Sequence, residues 1–143
     1  KKYHHLNNLT FAPSVPHRKV QSVLKHCDLL YFSVYPSKVW RYGQSLNKVI
    51  DYMLSGKPIL ASYSGYHSMI NEAGCGEFVP SEDIPALIEG IKQALNQKNN
   101  TCQSREGIGR AWLLNNRTYR KLASQYIEIL SPQAPNDSSL HPD

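Results

Sequence analysis

The sequence predicts an α/β protein, an open parallel sheet with helices on both faces, and three observations lead to this fold class. Short apolar runs recur along the chain. The stretches between them are amphipathic and have helical spacing. Strand-type and helix-type segments alternate regularly, and this alternation is typical of parallel strands joined by helices.

The first three predicted elements are a strand, a helix and a second strand. Leu9-Thr10-Phe11 is a brief apolar segment before the turn-forming residues 13–16, and we predict it as a strand. A helix is predicted over residues 17–26, because Val20, Val23 and Leu24 have core spacing. The continuous apolar run 29–34 predicts a strand that is buried on both faces.

The next two predicted elements are a helix and a buried strand. Ser45 is a residue type that favours the N-cap, and Gly56 is the type that commonly ends a helix. We therefore predict a helix from Ser45 to Leu54. The apolar run 58–61 follows as a strand.

The last predicted elements are a short helix over residues 66–73, a strand over residues 77–79 and two longer helices. Two apolar stripes at helical spacing define the longer helices: Ile84, Leu87, Ile88, Ile91, Ala94 and Leu95, then Tyr119, Leu122, Ala123, Tyr126, Ile127 and Leu130. The chain is rich in Pro, Ser and Asn from Ser131 onward. Residues 1–130 are therefore predicted as the domain and residues 131–143 as a flexible tail.

Composition excludes several classes of protein. With 143 residues, 41% of them hydrophobic and 19% charged, the chain fits one globular domain, and no apolar run reaches the length of a membrane span. Three dispersed cysteines without a CxxC pair favour a reducing compartment over a disulfide framework or a zinc site. The net charge of +5 does not by itself select a class of partner. The start has neither Met nor a signal-peptide core, so we expect a piece of a longer protein.

The segment from residue 41 to residue 51 is the candidate site. In open parallel sheets, ligands bind where the carboxyl ends of strands meet helix N-termini, so the loops after the four predicted strands should share one rim. Gly43 allows a ligand to approach the backbone, and the free N–H groups after Ser45 can bind an anion. Asn47 adds a donor, and Lys48 adds a cation that is unfavourable at a helix N-terminus unless an anion is bound there.

Asp51 extends this anion site. It lies four residues after Asn47, on nearly the same helix face and about 6 Å further along the axis. That separation is close to the distance from a phosphate to its ribose. A carboxylate at this position can accept hydrogen bonds from the two ribose hydroxyls. The alternative is a surface helix in which Asp51 pairs with Lys48 or Lys57, and the spacing alone does not decide between the two.

A run of motifs in a fixed order carries a family resemblance. Residues 45–48, 51–53 and 56–58 read Ser-Leu-Asn-Lys, Asp-Tyr-Met and Gly-Lys-Pro, and 71–76 and 79–83 follow in the expected order. From about Asn8 to Leu130 the chain resembles the C-terminal, donor-binding lobe of glycosyltransferases of family 4 (group 1). These enzymes have the GT-B fold, whose lobes are Rossmann-like. The likeness is greatest to bacterial enzymes that build O-antigens and capsules.

The resemblance assigns roles to individual positions. Asp51 matches the second acid of the family's Glu-x7-Glu motif, which holds the ribose, and residues 44–48 match the diphosphate-binding segment. Val15 and Pro16 match the segment beside the nucleobase. Gly43 stands where the first Glu would be, which leaves the sugar and the retaining or inverting outcome open. The substrate-binding candidates are Val15, Pro16, Tyr42, Gly43, Gln44, Ser45, Asn47, Lys48, Asp51 and Gly65.

The resemblance also implies a function for the whole protein. The donor would be a UDP- or GDP-linked sugar, and the sugar would move to a glycan or lipid-linked acceptor in cell-surface polysaccharide synthesis. The chain has no Asp-x-Asp, in keeping with a reaction that requires neither metal nor cofactor. We expect the enzyme in the cytoplasm or peripherally at the inner face of the membrane, without a nucleic-acid partner.

The same resemblance implies a second, N-terminal lobe that binds the acceptor, and at least one strand of the present lobe upstream of Lys1. The chain alone is therefore expected to be inactive, and no catalytic residue is assigned within it. Two alternatives stay open: the lobe of a nucleotide-sugar epimerase with similar architecture, and a non-enzymatic nucleotide-binding domain. For Gly65 two alternatives also stay open: it contacts the donor sugar, or it belongs to a plain surface loop.

Overall fold

Within the described residues, the sheet has three parallel strands that lie side by side in chain order. A computed structural model describes residues 5–44, 46–97 and 107–131. The strands are β1 (Leu30–Ser33), β2 (Ile59–Ser62) and β3 (Gly76–Val79). In the register of the sheet, Leu30 lies opposite Ile59, and Ile59 lies opposite Gly76. The predicted α/β class with an open parallel sheet is confirmed.

Helices connect and cover the strands. In chain order they are α1 (His17–Leu24), a 3-10 helix (Lys38–Tyr42), α2 (Asn47–Ser55), α3 (Met69–Ala73), α4 (Ile84–Gln97), α5 (Ile108–Asn116) and α6 (Tyr119–Leu130). The 3-10 helix and α2 lie between β1 and β2, and α3 lies between β2 and β3. Each pair of parallel strands is thus joined by a helical crossover, as parallel pairing requires.

The core lies mainly on one face of the sheet. It is formed by buried side chains of the strands, α2, α3 and α5, among them Phe32, Val49, Met53, Ala61, Ile70 and Leu113. On the opposite face α4 packs against β2 and β3. There a Cβ on Gly90 would be 3.0 Å from a methyl group of Val79 and 3.3 Å from one of Leu60, so the helix and the sheet pack closely at this glycine. Helices therefore cover both faces, as predicted.

The prediction that the first long apolar run is buried on both faces is wrong for β1. Leu30 and Phe32 are buried, whereas Tyr31 and Ser33 are exposed. Strand β2 does have the predicted pattern, with all four residues buried. Helix α4 makes its main strand contacts with β2 and β3, so the Tyr31 face of β1 is covered less than the same face of β2.

The predicted strand at Leu9-Thr10-Phe11 is also wrong. Residues 8–16 contain neither strand nor helix, and the side chain of Phe11 is 63% exposed. A three-residue segment has no strand geometry of its own and becomes a strand only by pairing with a neighbour. The pairing of the described sheet joins β1 to β2 and β2 to β3.

The start of α2 differs from the prediction, while its end is confirmed. The helix begins at Asn47, with Leu46 in the N-cap position and no side-chain hydrogen bond there. The predicted cap, Ser45, lies outside the described residues. Leu46 is partly buried and packs against the core. At the other end Gly56 has φ 76°, the left-handed conformation expected of a helix-terminating glycine.

Of the two C-terminal helices, α5 was not predicted from the sequence, and α6 has an apolar face that the described residues do not cover. Helix α5 contains a glycine, Gly109, whose close contact with Cys75 leaves no ordinary room for a side chain. Helix α6 forms where its stripe predicts a helix, but none of its residues is buried by the described part of the chain. The predicted tail lies outside the described residues apart from Ser131. Within the ranges described, no helix is both long enough and apolar enough to cross a membrane.

Candidate functional site

The carboxyl ends of the three strands define one rim of the molecule. Because the strands are parallel, the loops that begin at Val34, Tyr63 and Pro80 leave the sheet at the same edge. This rim was predicted to include a fourth loop after Phe11, which is wrong because residues 9–11 form no strand. The 3-10 helix belongs to the first of these loops and leads into α2.

Asp51 lies on α2 where α1 packs against it. Gln21 donates from Nε2 to the backbone oxygen of Asp51 at 3.0 Å and to its Oδ1 at 3.4 Å. The Nε2 atom of His17 lies 3.9 Å from the same Oδ1. The Asp51 side chain is 25% exposed, so the carboxylate is held in place and still accessible from outside.

This arrangement brings Asp51 close to a second predicted segment. His17 is the first residue of α1 and directly follows Val15 and Pro16, with Pro16 in the N-cap position. Val15 is half-buried and Pro16 is exposed. The structure thus joins the α1 start to Asp51, two parts of the chain that the resemblance placed around the same nucleoside.

Sequence reasoning missed His17 and Gln21 as neighbours of Asp51. They are four residues apart on α1 and therefore lie on the same helix face. That spacing was visible in the sequence, but nothing in it showed that this face meets α2. Their contact is a property of helix packing.

Asn47 and Lys48 lie in the first turn of α2, as expected from the sequence, and both are exposed. The Nζ atom of Lys48 lies 5.9 Å from the centre of the Phe32 ring. A cation over an aromatic face is stabilised by the ring quadrupole, so the protein itself offsets part of the unfavourable position of Lys48. The conflict with the helix dipole is therefore smaller than the sequence suggested.

The segment before α2 contains a glycine whose backbone conformation disfavours other residues, and a buried side-chain amide. Gly43 has φ 104° and ψ −178°, a combination that is nearly restricted to glycine. Both polar atoms of the Gln44 side chain are buried, and neither has a hydrogen-bond partner among the residues that the structure describes. Burying an amide without partners is unfavourable by about 1–3 kcal/mol. Tyr42 is 92% exposed and points away from the core.

A buried tyrosine joins two of the rim loops. The hydroxyl of Tyr63, just after β2, donates to the carbonyl oxygen of Tyr66 at 2.9 Å and lies 3.3 Å from that of Trp40. The backbone N–H of Tyr66 also donates to the Trp40 carbonyl, at 2.8 Å. Burial raises the pKa of Tyr63, which keeps its hydroxyl protonated as these contacts require. Tyr63 was not among the residues predicted for the site.

Gly65 lies against this tyrosine. A Cβ added at Gly65 would be 2.4 Å from the Tyr63 hydroxyl oxygen and 2.7 Å from the Trp40 carbonyl oxygen. Those distances are too short for any side chain, so close packing requires glycine at position 65. Its predicted contact with a donor sugar stays a prediction.

A groove of about 530 Å³ lies beside β1, between the uncovered sheet face and the start of α4. Across it the Tyr31 hydroxyl donates to Ser62 Oγ at 3.0 Å. Its other lining residues are Ser33, Val34, Tyr35, Ser37, Trp40, Glu82, Asp83, Ile84 and Leu87. None of the residues predicted to bind substrate lines this groove.

A smaller recess of about 340 Å³ lies on the same rim. It is lined by Pro36, Ser37, Lys38, Arg41 and Ser64. These residues come from the loops after β1 and β2, and Arg41 was inside the segment that the sequence selected. Elsewhere in the described ranges, no group of three or more His, Cys, Asp or Glu is placed to hold a metal ion.

Comparison with known proteins identifies the family. The profile of the family described as "Glycosyl transferases group 1" matches residues 1–97, a range that includes the rim, Asp51 and the recess. No curated protein and no solved structure matches the chain significantly. The matched range covers more than half of the chain, and the parallel α/β sheet is consistent with it. The chain belongs to the group 1 glycosyltransferases.

Proposed function

We propose that this chain binds the nucleoside diphosphate of a sugar donor, and that it is the C-terminal lobe of a two-lobed transferase. The donor is a UDP- or GDP-linked sugar, and the product is a cell-surface polysaccharide or its lipid-linked precursor. The observation that carries the proposal is the position of Asp51. Its accessible carboxylate lies between α2 and the start of α1, beside the segment assigned to the nucleobase.

Each part of the nucleotide has a proposed partner. Asp51 accepts hydrogen bonds from the two ribose hydroxyls, as acids do in other dinucleotide-type folds. The first turn of α2, with Asn47 and Lys48, receives the diphosphate. Val15 and Pro16 lie along the base. Gln21 supports the site by holding the Asp51 carboxylate at one oxygen.

The buried side-chain amide of Gln44 supports the proposal that a ligand binds at this place. Its two polar atoms have no partner in the structure, although it stands only three residues before Asn47. A phosphate oxygen would accept from the Nε2 atom of Gln44 and would remove one of the two unpaired groups. We propose that Gln44 turns toward the diphosphate when the donor binds.

The proposed chemistry follows from the charge that develops during transfer. When the bond between the anomeric carbon and the diphosphate breaks, negative charge accumulates on the departing phosphate oxygen. Fixed N–H groups and the ammonium of Lys48 stabilise that charge without having to reorganise. The electrons of the broken bond stay on the diphosphate. The acceptor hydroxyl oxygen supplies the electron pair of the new bond to the anomeric carbon, and its proton is released to solvent.

Substitution of Asp51 tests the proposal in the full-length protein. We expect Asp51→Ala to weaken UDP or GDP binding by about tenfold or more, because two hydrogen bonds to a charged group are lost. Asp51→Asn should have an intermediate effect, since it retains one acceptor oxygen. Isothermal titration calorimetry measures the three dissociation constants directly.

A matched control separates this local effect from the loss of one negative charge. Glu89→Ala removes an exposed carboxylate from α4, outside the proposed site, and should leave nucleotide affinity unchanged. Nucleotide binding to Asp51→Ala that equals wild type would refute the ribose assignment. Epimerisation of the donor sugar without an added acceptor would favour an epimerase instead of a transferase.

A further inference from the structure

We propose that the recess at Lys38 and Arg41 is a second anion site, which takes a phosphoryl group other than the donor diphosphate. Its lining consists of Pro36, Ser37, Lys38, Arg41 and Ser64, and so provides two cations, two hydroxyl groups and no carboxylate. The recess is a second site only in relation to the donor site proposed at α2, so this part of the inference rests on the proposed function. Its anion chemistry is independent of that proposal.

The 3-10 helix places the two cations side by side. A 3-10 helix has three residues per turn, so positions i and i+3 lie directly above one another. Lys38 and Arg41 are three residues apart in this helix, and both line the same recess. Trp40 lies on another side of the helix, packed edge-on to Tyr63 at 6.1 Å between ring centroids.

The walls of the recess are fixed by contacts behind them. Trp40 Nε1 donates to the carbonyl oxygen of Tyr35 at 2.8 Å, and the Tyr63 hydroxyl holds the Trp40 and Tyr66 carbonyls. On the opposite wall Ser64 Oγ accepts from the backbone N–H of Ser81 at 3.1 Å. The walls of the recess are therefore preformed, and the exposed side chains of Lys38 and Arg41 are the groups that an anion would order on binding.

Within the described part of the chain, no ion pair neutralises the charge of the recess. Among residues 5–44, 46–97 and 107–131, neither Lys38 nor Arg41 forms an ion pair. Two neighbouring cations repel one another, and a shared anion removes that repulsion. Arginine beside lysine and serine hydroxyls is the donor set that phosphate oxygens favour.

The residues proposed to hold the diphosphate and the ribose do not line the recess. Gln44, Asn47, Lys48 and Asp51 do not line it, although it opens on the same rim. A phosphoryl group bound there would lie at the same strand ends as the donor while leaving the first turn of α2 free. The ligand class is a phosphate ester, either a soluble one or the headgroup of a lipid.

The test uses the full-length protein and inorganic phosphate as the probe, with UDP or GDP saturating. We expect the double variant Lys38→Gln/Arg41→Gln to weaken phosphate binding by about tenfold or more and to change nucleotide affinity less than about twofold. Lys92→Gln/Arg110→Gln makes the same charge change at exposed positions of α4 and α5 and should bind phosphate like wild type. Calorimetry measures both ligands, and thermal unfolding confirms that each variant is folded.

Two results would overturn the second site. One is phosphate binding that is absent from wild type or unaffected by the double variant. The other is an equal loss of nucleotide and phosphate affinity, which would make Lys38 and Arg41 part of the donor site. A failure of the donor proposal appears differently: the protein would not bind nucleotide, while phosphate binding would still depend on Lys38 and Arg41.

A second experiment, with lipid vesicles, distinguishes a lipid headgroup from a soluble phosphate ester as the source of the phosphate. Vesicles of phosphatidylcholine with phosphatidic acid are compared with phosphatidylcholine alone in a sedimentation assay. Loss of binding to the acidic vesicles in the double variant, with the Lys92/Arg110 control unaffected, assigns a lipid phosphate. Unchanged vesicle binding together with lost inorganic phosphate binding assigns a soluble ester.

Discussion

At Gly43 the backbone decides which residue the chain can carry. Its φ of 104° with ψ of −178° imposes about 1–3 kcal/mol of strain on any residue with a side chain. The space around it is open, with no atom within 4 Å of an added Cβ, so the restriction comes from the backbone alone. The position that the resemblance matches to the first acid of the family's motif therefore has a loop conformation that disfavours any residue with a side chain.

Gly65 is restricted for the opposite reason, and this leads to a prediction. Its backbone is not in the left-handed region, but an added methyl group would meet the Tyr63 hydroxyl and the Trp40 carbonyl. We expect Gly65→Ala to lower the free energy of unfolding by about 1–3 kcal/mol, the usual cost of overpacking. Urea unfolding followed by circular dichroism measures the difference.

The double variant Gly65→Ala/Tyr63→Phe tests the stated cause. Removing the hydroxyl takes away the nearest clashing atom, so the two substitutions together should cost less than the sum of their separate effects. Strict additivity would show that the Tyr63 hydroxyl is not the cause, and would leave the Tyr63 ring carbon at 2.6 Å and the Trp40 carbonyl oxygen at 2.7 Å as the clashing atoms. A Gly65→Ala variant as stable as wild type would mean that the two rim loops separate easily.

At the scale of elements, α5 completes the core around α2 and α3. It packs against both helices, and Gly109 allows it to approach the sulfur of Cys75, 3.1 Å from the position of a Cβ on this glycine. Cys75 lies between α3 and β3 and is buried. Burial raises the pKa of the Cys75 thiol from 9.0 to about 11, because the apolar surroundings disfavour the thiolate.

This packing predicts a loss of stability at alkaline pH. The unfolded thiol loses its proton near pH 9 while the folded thiol keeps it to about pH 11, so the unfolded state is favoured progressively over that interval. We expect the free energy of unfolding to be unaffected by this group below pH 9 and to fall between pH 9 and about 11. Chemical unfolding at a series of pH values measures the slope.

Cys75→Ala provides the comparison for that slope. It should be less stable than wild type at neutral pH, because a buried side chain is shortened, and its stability should fall less between pH 9 and about 11. Burial also raises the pKa values of Tyr52 and Tyr63, so a decline at higher pH should remain in the variant. An unchanged slope would show that the Cys75 thiol does not titrate with unfolding.

At the scale of the whole molecule, the described residues form one rim at the strand ends and leave two apolar surfaces uncovered. One is the face of β1 at Tyr31, and the other is the apolar side of α6, where Tyr126 and Ile127 are largely exposed. Both were predicted to be core-facing from their sequence pattern. The periodicity of a segment shows which side is apolar, but it does not show what covers that side.

We predict that the 143-residue chain on its own does not transfer sugar from a donor. In the family that it resembles, the acceptor binds to the other lobe, and no catalytic residue is assigned here. A radiolabelled donor incubated with the purified chain and a mixture of glycan acceptors tests this, with hydrolysis of the donor followed separately. Transfer above the level of a heat-denatured control would contradict the prediction.

The sequence by itself determined the fold class, two long apolar runs as strands and the end of α2 at Gly56. These features follow from local rules: apolar runs, helical spacing, and the freedom of glycine to adopt a left-handed backbone. It also selected the segment from residue 41 to residue 51, through motifs whose order is local information. Its errors at residues 9–11 and at the start of α2 occurred where pairing and packing outweigh local preference.

Tertiary structure alone decided which groups meet. The contacts of Asp51 with Gln21 and His17 depend on how α1 packs against α2, and the Tyr63 contacts join loops more than 20 residues apart. The burial of β2 and the exposure of one face of β1 depend on where α4 lies. Such contacts are non-local, so no pattern of neighbouring residues encodes them. The sequence therefore selected the candidate segment, and the packing of helices around the sheet fixed how its side chains are held.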